Sequence, residues 1–440
     1  MPSAIVIGGG LSGLASAAAL GGCGFEVDLF ESRGFLGGRA TSYALNAADG
    51  TGVIDNCQHI LLRCCVNLLD FYKRLRVADR IEFHKEFYFL EPGGRMSTMR
   101  SGVFPRPFHF TESFLSMRCF DLRDKIAIGR GLLAIQSERT RRTDLDRITM
   151  LEWLREKHQT PRAIERFWQQ VLVSAVNEDL DRMAAKHGFQ VFWLGFLASR
   201  NSYEMGVPAV PLQDLYSSEA WDRIGNVRLN LRSPVDRVMV TNEEVSGVLS
   251  RGILRNADYY ILAVPFERVC PLAPELDVDV NQFTHSPITG IHLWFDKKIT
   301  ELPHATLLDR TIQWMFNKGE GRYLQLVVSA SRSLLEMSRA EVIDLGVREL
   351  AEFFPEVRKA KLEKAHVVKE VRATFSAQPG LEEVRPGTAT NIRNLFLAGD
   401  WTQSGWPATM EGAVRSGYIA AEAVAKTAGR SDRFLLPDIA

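Results

Sequence analysis

Residues 4–31 constrain this chain more than any other stretch. Ala4-Ile5-Val6-Ile7 is a short, unbroken apolar run, the pattern of a strand buried on both faces of a parallel sheet. It leads straight into Gly8-Gly9-Gly10-Leu11-Ser12-Gly13, which satisfies G-x-G-x-x-G. The alanine-rich residues 14–20 then read as a helix whose small side chains allow close packing on a sheet. Glu26-Val27-Asp28-Leu29-Phe30 predicts a second strand, ending at Glu31, 18 positions after Gly13. Gly8 permits the tight turn, Gly10 lets a pyrophosphate approach the backbone, and Gly13 lets helix and strand pack closely. The helix start at Leu11 and Ser12 offers unpaired N–H groups and a partial positive charge to phosphates. Glu31, with Ser32 beside it, is placed to accept hydrogen bonds from ribose hydroxyls, and its charge disfavours a 2′-phosphate, which argues against NADP. A lone glycine turn is weak evidence. Between strand and helix, with an acid at that offset, it predicts a dinucleotide site.

Six residues beyond Glu31 comes Gly37-Gly38-Arg39. Two glycines let the backbone pass close to a ligand, and an arginine can clamp phosphate oxygens. The extended signature resembles the FAD-binding segment of the flavin amine oxidase and phytoene desaturase superfamily. Near the other end, Asn394-Leu395-Phe396-Leu397-Ala398 reads as a buried strand, followed by Gly399-Asp400 and by Pro407-Ala408-Thr409-Met410-Glu411-Gly412-Ala413. This block resembles the superfamily's C-terminal FAD motif. The resemblance implies that Asp400 meets the ribityl–pyrophosphate linkage, and that a helix starting near Met410, Glu411 and Ala413 points its N–H groups at the flavin ring. Between the two ends, Val235 starts a strand after a bend at Pro234, where the resemblance implies a backbone contact with adenine. Residues 257–265, including Ala263, have the A-D-x-x-I-x-A-x-P form of the strand that closes the domain.

The predicted fold is therefore α/β. A Rossmann-like FAD-binding domain (GR2-type) is assembled from discontinuous segments, 1–60, 225–275 and 385–428. Residues 61–224 and 276–384 form an α+β substrate domain with an antiparallel sheet and a helical part. Ile164, Phe167, Trp168, Val171 and Leu172 share one face of a helix over 161–173, read as a core face or as the lining of a lipid cavity. Residues 182–200 predict a second, broadly apolar helix. Residues 288–295, 312–316 and 323–328 read as antiparallel strands, and 341–354 as a helix covering them. Residues 429–440 read as a loose tail.

Composition sets limits on function. Lys+Arg and Asp+Glu are both 53, so no net charge favours nucleic acid. With 46% apolar and 24% charged residues the chain reads as globular, and no apolar run is long enough to span a bilayer. The six cysteines match neither a disulfide framework nor a zinc spacing, so reduced thiols and a cytoplasmic location are expected, with no metal. The apolar N-terminus has no basic leader and is interrupted by glycines, unlike a signal peptide. No G-K-[ST] phosphate loop is present, which excludes an ordinary ATPase.

Asp55-Asn56-Cys57-Gln58-His59 carries a narrower resemblance. It is similar to the D-N-G-Q-H segment of the hydroxysqualene dehydroxylase family, also called squalene-associated FAD-dependent desaturases, with Cys57 where glycine is usual. That resemblance implies reductive removal of the hydroxyl of a C30 allylic alcohol to give squalene, with reduced FAD as the hydrogen source. Departure of hydroxide needs a proton donor, and a dry apolar tunnel keeps water from the cation. His59 is the general-acid candidate, oriented by Asp55 or Gln58; the same histidine equally reads as a flavin contact or a structural residue. Cys57, Cys64 and Cys65 read as packing residues rather than sites of covalent flavin attachment. The alternatives are a carotenoid-type desaturase, a flavin amine oxidase, or a non-catalytic flavin-containing lipid carrier. The expected partners are a lipophilic polyprenyl substrate, upstream squalene-pathway enzymes and, through the aromatic and basic residues 104–110, the inner face of the cytoplasmic membrane.

Overall fold

The computed structural model describes residues 1–45 and 52–439; Ala440, the end of the predicted tail, lies outside them. Five parallel strands make the nucleotide sheet, in the order Val227–Asn230, Glu26–Phe30, Ser3–Ile7, Tyr259–Leu262, Leu395–Leu397. All five come from the three stretches whose motifs point to one site. The strand Tyr259–Leu262, from the motif expected to close the domain, lies inside the sheet. It pairs with the central strand, and Leu395–Leu397 takes the edge. Tyr260, Ile261 and Leu262 are fully buried, but Leu395–Leu397 is apolar and buried too, so apolar character alone does not set the order.

Two helices close one face of this sheet. Leu11–Gly22 buries every residue except its last, because alanine, glycine and serine leave no bulk to hold it off. Met410–Thr427 packs along it. A Cβ on Gly417 would lie 2.2 Å from the Ser12 carbonyl oxygen, so the two backbones touch where no side chain fits. Ser16 Oγ donates to the carbonyls of Ser12 and Gly417 across the contact.

The two insertions share one seven-stranded sheet, in the order Leu362–Phe375, His285–Phe295, Tyr323–Ser329, Trp314–Gly319, His304–Leu307, Glu86–Leu90, Met96–Arg100. It is antiparallel except where His304–Leu307 runs parallel to Glu86–Leu90. That parallel pair stitches the first insertion to the second, and the alternation of residues in the second carries no sign of it. The helix Arg339–Phe353 covers one face, closed by the capping box of Ser338 and Glu341.

Residues 161–176 form one helical rod with a π turn at Ile164–Trp168, and Ala185–Phe192 continues through a π turn at Trp193–Leu197. Each π turn inserts a residue and rotates the remainder of its rod, so Phe167, Trp168 and Leu172 enter the core while Val171 faces a cavity. Residues 429–439 are not loose. Phe434 is buried, the Phe434 and Leu435 N–H groups donate to Glu422, and Leu436 N–H donates to Asn67 Oδ1. The tail docks because Phe434 is buried and backbone N–H groups find acceptors, and composition does not reveal those. No helix among the described residues is long and apolar enough to cross a membrane.

Replacing Gly417 by Ala tests the backbone contact between the first and last helices. Helix propensity alone favours Ala by about 1 kcal/mol, whereas overpacking costs about 1–3 kcal/mol. The expected outcome is a lower urea midpoint with unchanged far-UV circular dichroism.

Candidate functional site

One cavity of about 940 Å³ runs from the nucleotide sheet to the seven-stranded sheet. That is near the upper end of single-ligand pockets, roughly 1,000 Å³. Its first end is backbone-lined. Gly8 has φ +111°, and a Cβ there would lie 2.3 Å from the Ala263 carbonyl oxygen. A Cβ on Gly13 would lie 2.0 Å from the Gly8 carbonyl oxygen, while at Gly10 it would meet nothing closer than Gly38 Cα at 4.0 Å. Gly8 and Gly13 are thus closed by packing, and Gly10 is open to the cavity. Gly13 itself lies off the wall. The helix that starts at Leu11 has no side-chain cap on its N-terminus, so its N–H groups and those of Ser12 face the cavity unpaired.

Glu31 closes this end. Its Oε2 accepts from Gly9 N–H at 2.7 Å, and its Oε1 accepts from Arg33 N–H and Ser32 Oγ, so Ser32 supports the carboxylate. Gly37 and Gly38 line the wall with φ of +99° and +62°. Val235, at the start of the strand Val235–Thr241, and Ala263, just past Tyr259–Leu262, also line it. Arg39 and Asp400, read separately as phosphate and ribityl contacts, form an ion pair at 2.5 Å, and Arg39 also donates to the Ala373 carbonyl. Gly399 N–H donates to Ser416 Oγ beside them. Met410 and Ala413 present the first turn of the last helix. Glu411 also lines the wall, and its side chain has a second role. Its carboxylate points the other way, accepting from Asn67 N–H, Asn67 Nδ2 and Leu68 N–H, and so caps the helix Val66–Arg74.

Cys57, Gln58 and His59 line the middle of the cavity, and Asp55 does not. Asp55 accepts from Ser42 Oγ, Leu212 N–H and Lys318 Nζ, on the far side of its strand. Gln58 Oε1 accepts from the same Lys318. Neither orients His59. Asn56 does, with its Oδ1 at 3.1 Å from His59 Nε2. A continuous strand would put residues 55 and 59 on one face, but the strand ends at Asp55 and the chain bends at Asn56 and Cys57, which places them in different surroundings. The far end is apolar, lined by Phe87, Phe89, Met99, Leu194, Phe196 and Trp314.

The sequence matches the profile of the flavin containing amine oxidoreductase family over residues 11–425. The chain belongs to that family. It is 25% identical to a zeta-carotene desaturase from Synechocystis sp., over 95% of this chain and 96% of the relative. It is 26% identical to a 15-cis-phytoene desaturase from Solanum lycopersicum, over 98% of this chain and 79% of the relative. An oxidoreductase structure from Methanosarcina mazei superposes with a TM-score of 0.71 at 16% identity, covering 94% of this chain and 98% of that one. The carotenoid desaturases favour the alternative named from sequence over the dehydroxylase reading.

Membership makes this chain an FAD-dependent oxidoreductase, and the residues present fit that cofactor. The open helix start at Gly10, the acid at Glu31 and the paired Arg39–Asp400 suit pyrophosphate, ribose and ribityl groups in turn. When bound, FAD supplies a two-electron acceptor or donor for hydride.

His59 does not suit a general acid. Burial, with Lys318 adding to it and Asp55 opposing, holds its pKa down at about 4, so the ring is neutral near pH 7. Asn56 Nδ2 donates to the Arg39 carbonyl, which leaves Oδ1 to accept. His59 Nε2 therefore carries the proton, and Nδ1 keeps a lone pair. Cys57 is pushed up to about 12 by burial, so its thiolate is scarce, as a packing role requires. Sequence reasoning passed over Asn56, the least reactive member of its motif, and Lys318. The signal for Lys318 was a lysine near the end of a strand, Trp314–Gly319, whose first half is apolar.

Two tests bear on this geometry. Glu31→Gln removes an ionised acceptor, and a hydrogen bond to a charged group contributes about 1.5–3 kcal/mol. The FAD Kd measured by fluorescence titration is expected to rise at least about tenfold. The second concerns pH. His59 and His187 are held at about 4, and His292 and His304 at about 3, in each case chiefly by burial, against 6.5 for an ordinary histidine. Below 6.5 the unfolded chain gains protons that the native state refuses, so stability falls with pH. Glu411, raised to about 7 by burial, opposes this with a proton bound in the native state. Four histidines outweigh one glutamate, and the urea midpoint is expected to be lower at about pH 5.5 than at about pH 7.5.

Proposed function

We propose that this protein desaturates a long polyprenyl chain, taking a hydride from an allylic carbon onto FAD and a proton from the adjacent carbon. The observation that carries this reading is His59, a neutral imidazole fixed as the Nε2–H tautomer with a free Nδ1 lone pair inside a largely apolar cavity. A carbon beside an electron-deficient allylic centre is strongly acidic, so a weak base is enough to take its proton. Asn56 holds the ring, and charge forming on it lies near the Asp55 carboxylate, which favours the imidazolium. The aromatic wall at Phe87, Phe196 and Trp314 excludes water from that centre. The named relatives act as carotenoid desaturases, which supports the same direction.

A second reading, reductive dehydroxylation of hydroxysqualene, draws support from one feature of the apolar end. Thr306 Oγ1 and Gln170 Oε1 are buried in the cavity wall without hydrogen-bond partners. They belong to one neighbourhood. Thr306 is opposite Trp314 in the sheet, Trp314 Nε1 donates to Ser174 Oγ, and Ser174 Oγ donates to the Gln170 carbonyl. Such atoms suit a substrate with a hydroxyl better than a pure hydrocarbon.

Anaerobic single turnovers separate the two. Oxidised holoprotein mixed with phytoene or zeta-carotene is expected to lose its flavin absorbance as a double bond forms. His59→Ala should slow that step by about 10²–10⁴-fold. Squalene formed from hydroxysqualene by the reduced protein, with no polyene oxidised, would transfer the assignment to dehydroxylation. Failure of both reactions would remove the polyprenyl reading.

A further inference from the structure

The first insertion has an outer surface unlike the rest of the molecule. Phe104, Phe108, Leu115, Leu122, Ile126 and Leu133 are all exposed, from 45% at Phe104 to 70% at Leu122. The helix Leu122–Glu138 explains how three of them align. Its inner face buries Ala127, Ile128, Gly131 and Ile135, with Gly131 beneath Trp168. On a helix of 3.6 residues per turn, Leu122, Ile126 and Leu133 fall within about 40° of one another on the opposite side. Arg123 and Arg130 flank that stripe on one side and Lys125 on the other. Arg118, Arg123 and Arg130 have no ion-pair partner among the described residues, whereas Asp121, the acid at the helix start, is paired with Arg162.

This surface lies one layer outside the cavity. Phe110 packs its ring on Phe196 with centroids 6.1 Å apart, and Phe196 lines the apolar end. An apolar stripe framed by unpaired cations does not suit water, and it complements one environment closely: acyl chains beneath anionic headgroups.

We infer that the outer face of residues 104–133 docks the protein on an anionic lipid bilayer, holding the wall of the apolar cavity against the membrane surface. The helix Leu122–Glu138 lies along the interface, its apolar stripe among the acyl chains and its arginines at the headgroups. Docking of this kind involves binding alone, so it stands whichever reaction the cavity performs.

Vesicle flotation of the holoprotein tests it. With vesicles of phosphatidylcholine plus about one third phosphatidylglycerol, the wild type is expected to float, with weaker binding to phosphatidylcholine alone and at high salt. Leu122→Glu with Leu133→Glu should lower the apparent affinity at least about tenfold. Arg118→Gln with Arg123→Gln and Arg130→Gln should remove the preference for anionic vesicles. All five side chains are exposed, so flavin content and melting temperature serve as controls that the fold is intact. Wild type that stays unbound with both vesicle compositions overturns the inference, as do glutamate variants that float equally well. A wild-type dimer in sedimentation velocity that these glutamates dissociate, without vesicle binding, would assign the face to a second copy of the chain and also overturn it.

Discussion

The nucleotide end depends on backbone contacts too close for any side chain. Gly8 lies against the Ala263 carbonyl, Gly13 against the Gly8 carbonyl, and Gly417 against the Ser12 carbonyl. The first and third join distant segments, the second packs the helix onto its own turn, and together they seat the first helix with its start toward the cavity. A single Cβ at any of them pushes that helix away from the place where a pyrophosphate must lie. The Arg39–Asp400 pair, between residues 361 positions apart, acts in the same sense by tying the first segment to the last. The site is therefore a product of packing between distant segments and not of one loop.

Electrostatics divides the cavity into two regimes. At the nucleotide end, charges are matched in place: Arg39 by Asp400, and Glu31 by two backbone N–H groups and Ser32. In the middle, desolvation dominates and keeps His59 neutral, although Asp55 lies close enough to favour its charge. The Asp55–Lys318 pair behind it is nearly shielded from solvent and anchors the extended segment from the side away from the cavity. The same residues that suggested acid catalysis from their order thus become, under the proposed desaturation, a base and its scaffold.

Legibility followed the range of each interaction. The first strand, the glycine turn and the second strand are local, and their side-chain chemistry alone dictates them. The strand ending before Ala263 was legible as a buried strand, while its central position was not, because neighbours in a parallel sheet are chosen by crossovers. Glu411 was read through its motif as part of a helix start whose N–H groups meet the flavin. Its carboxylate also satisfies a second helix start 343 residues earlier, a partner no local pattern reveals. Gln170, Ser174 and Thr306 carried no signal either, since a π turn and a strand pairing bring them together.

The order of residues is enough to specify a glycine-turn dinucleotide site with an acid at the ribose, and a last segment that returns to complete it. Those features rest on conformational freedom at glycine and on short-range burial, which a string of residues records directly. Three-dimensional packing was needed to fix which atom of His59 is free, which residue holds it and where the outer apolar stripe lies relative to the cavity. Those depend on the direction of side chains and on distances between elements far apart in the chain, which are set by packing and desolvation of the whole molecule.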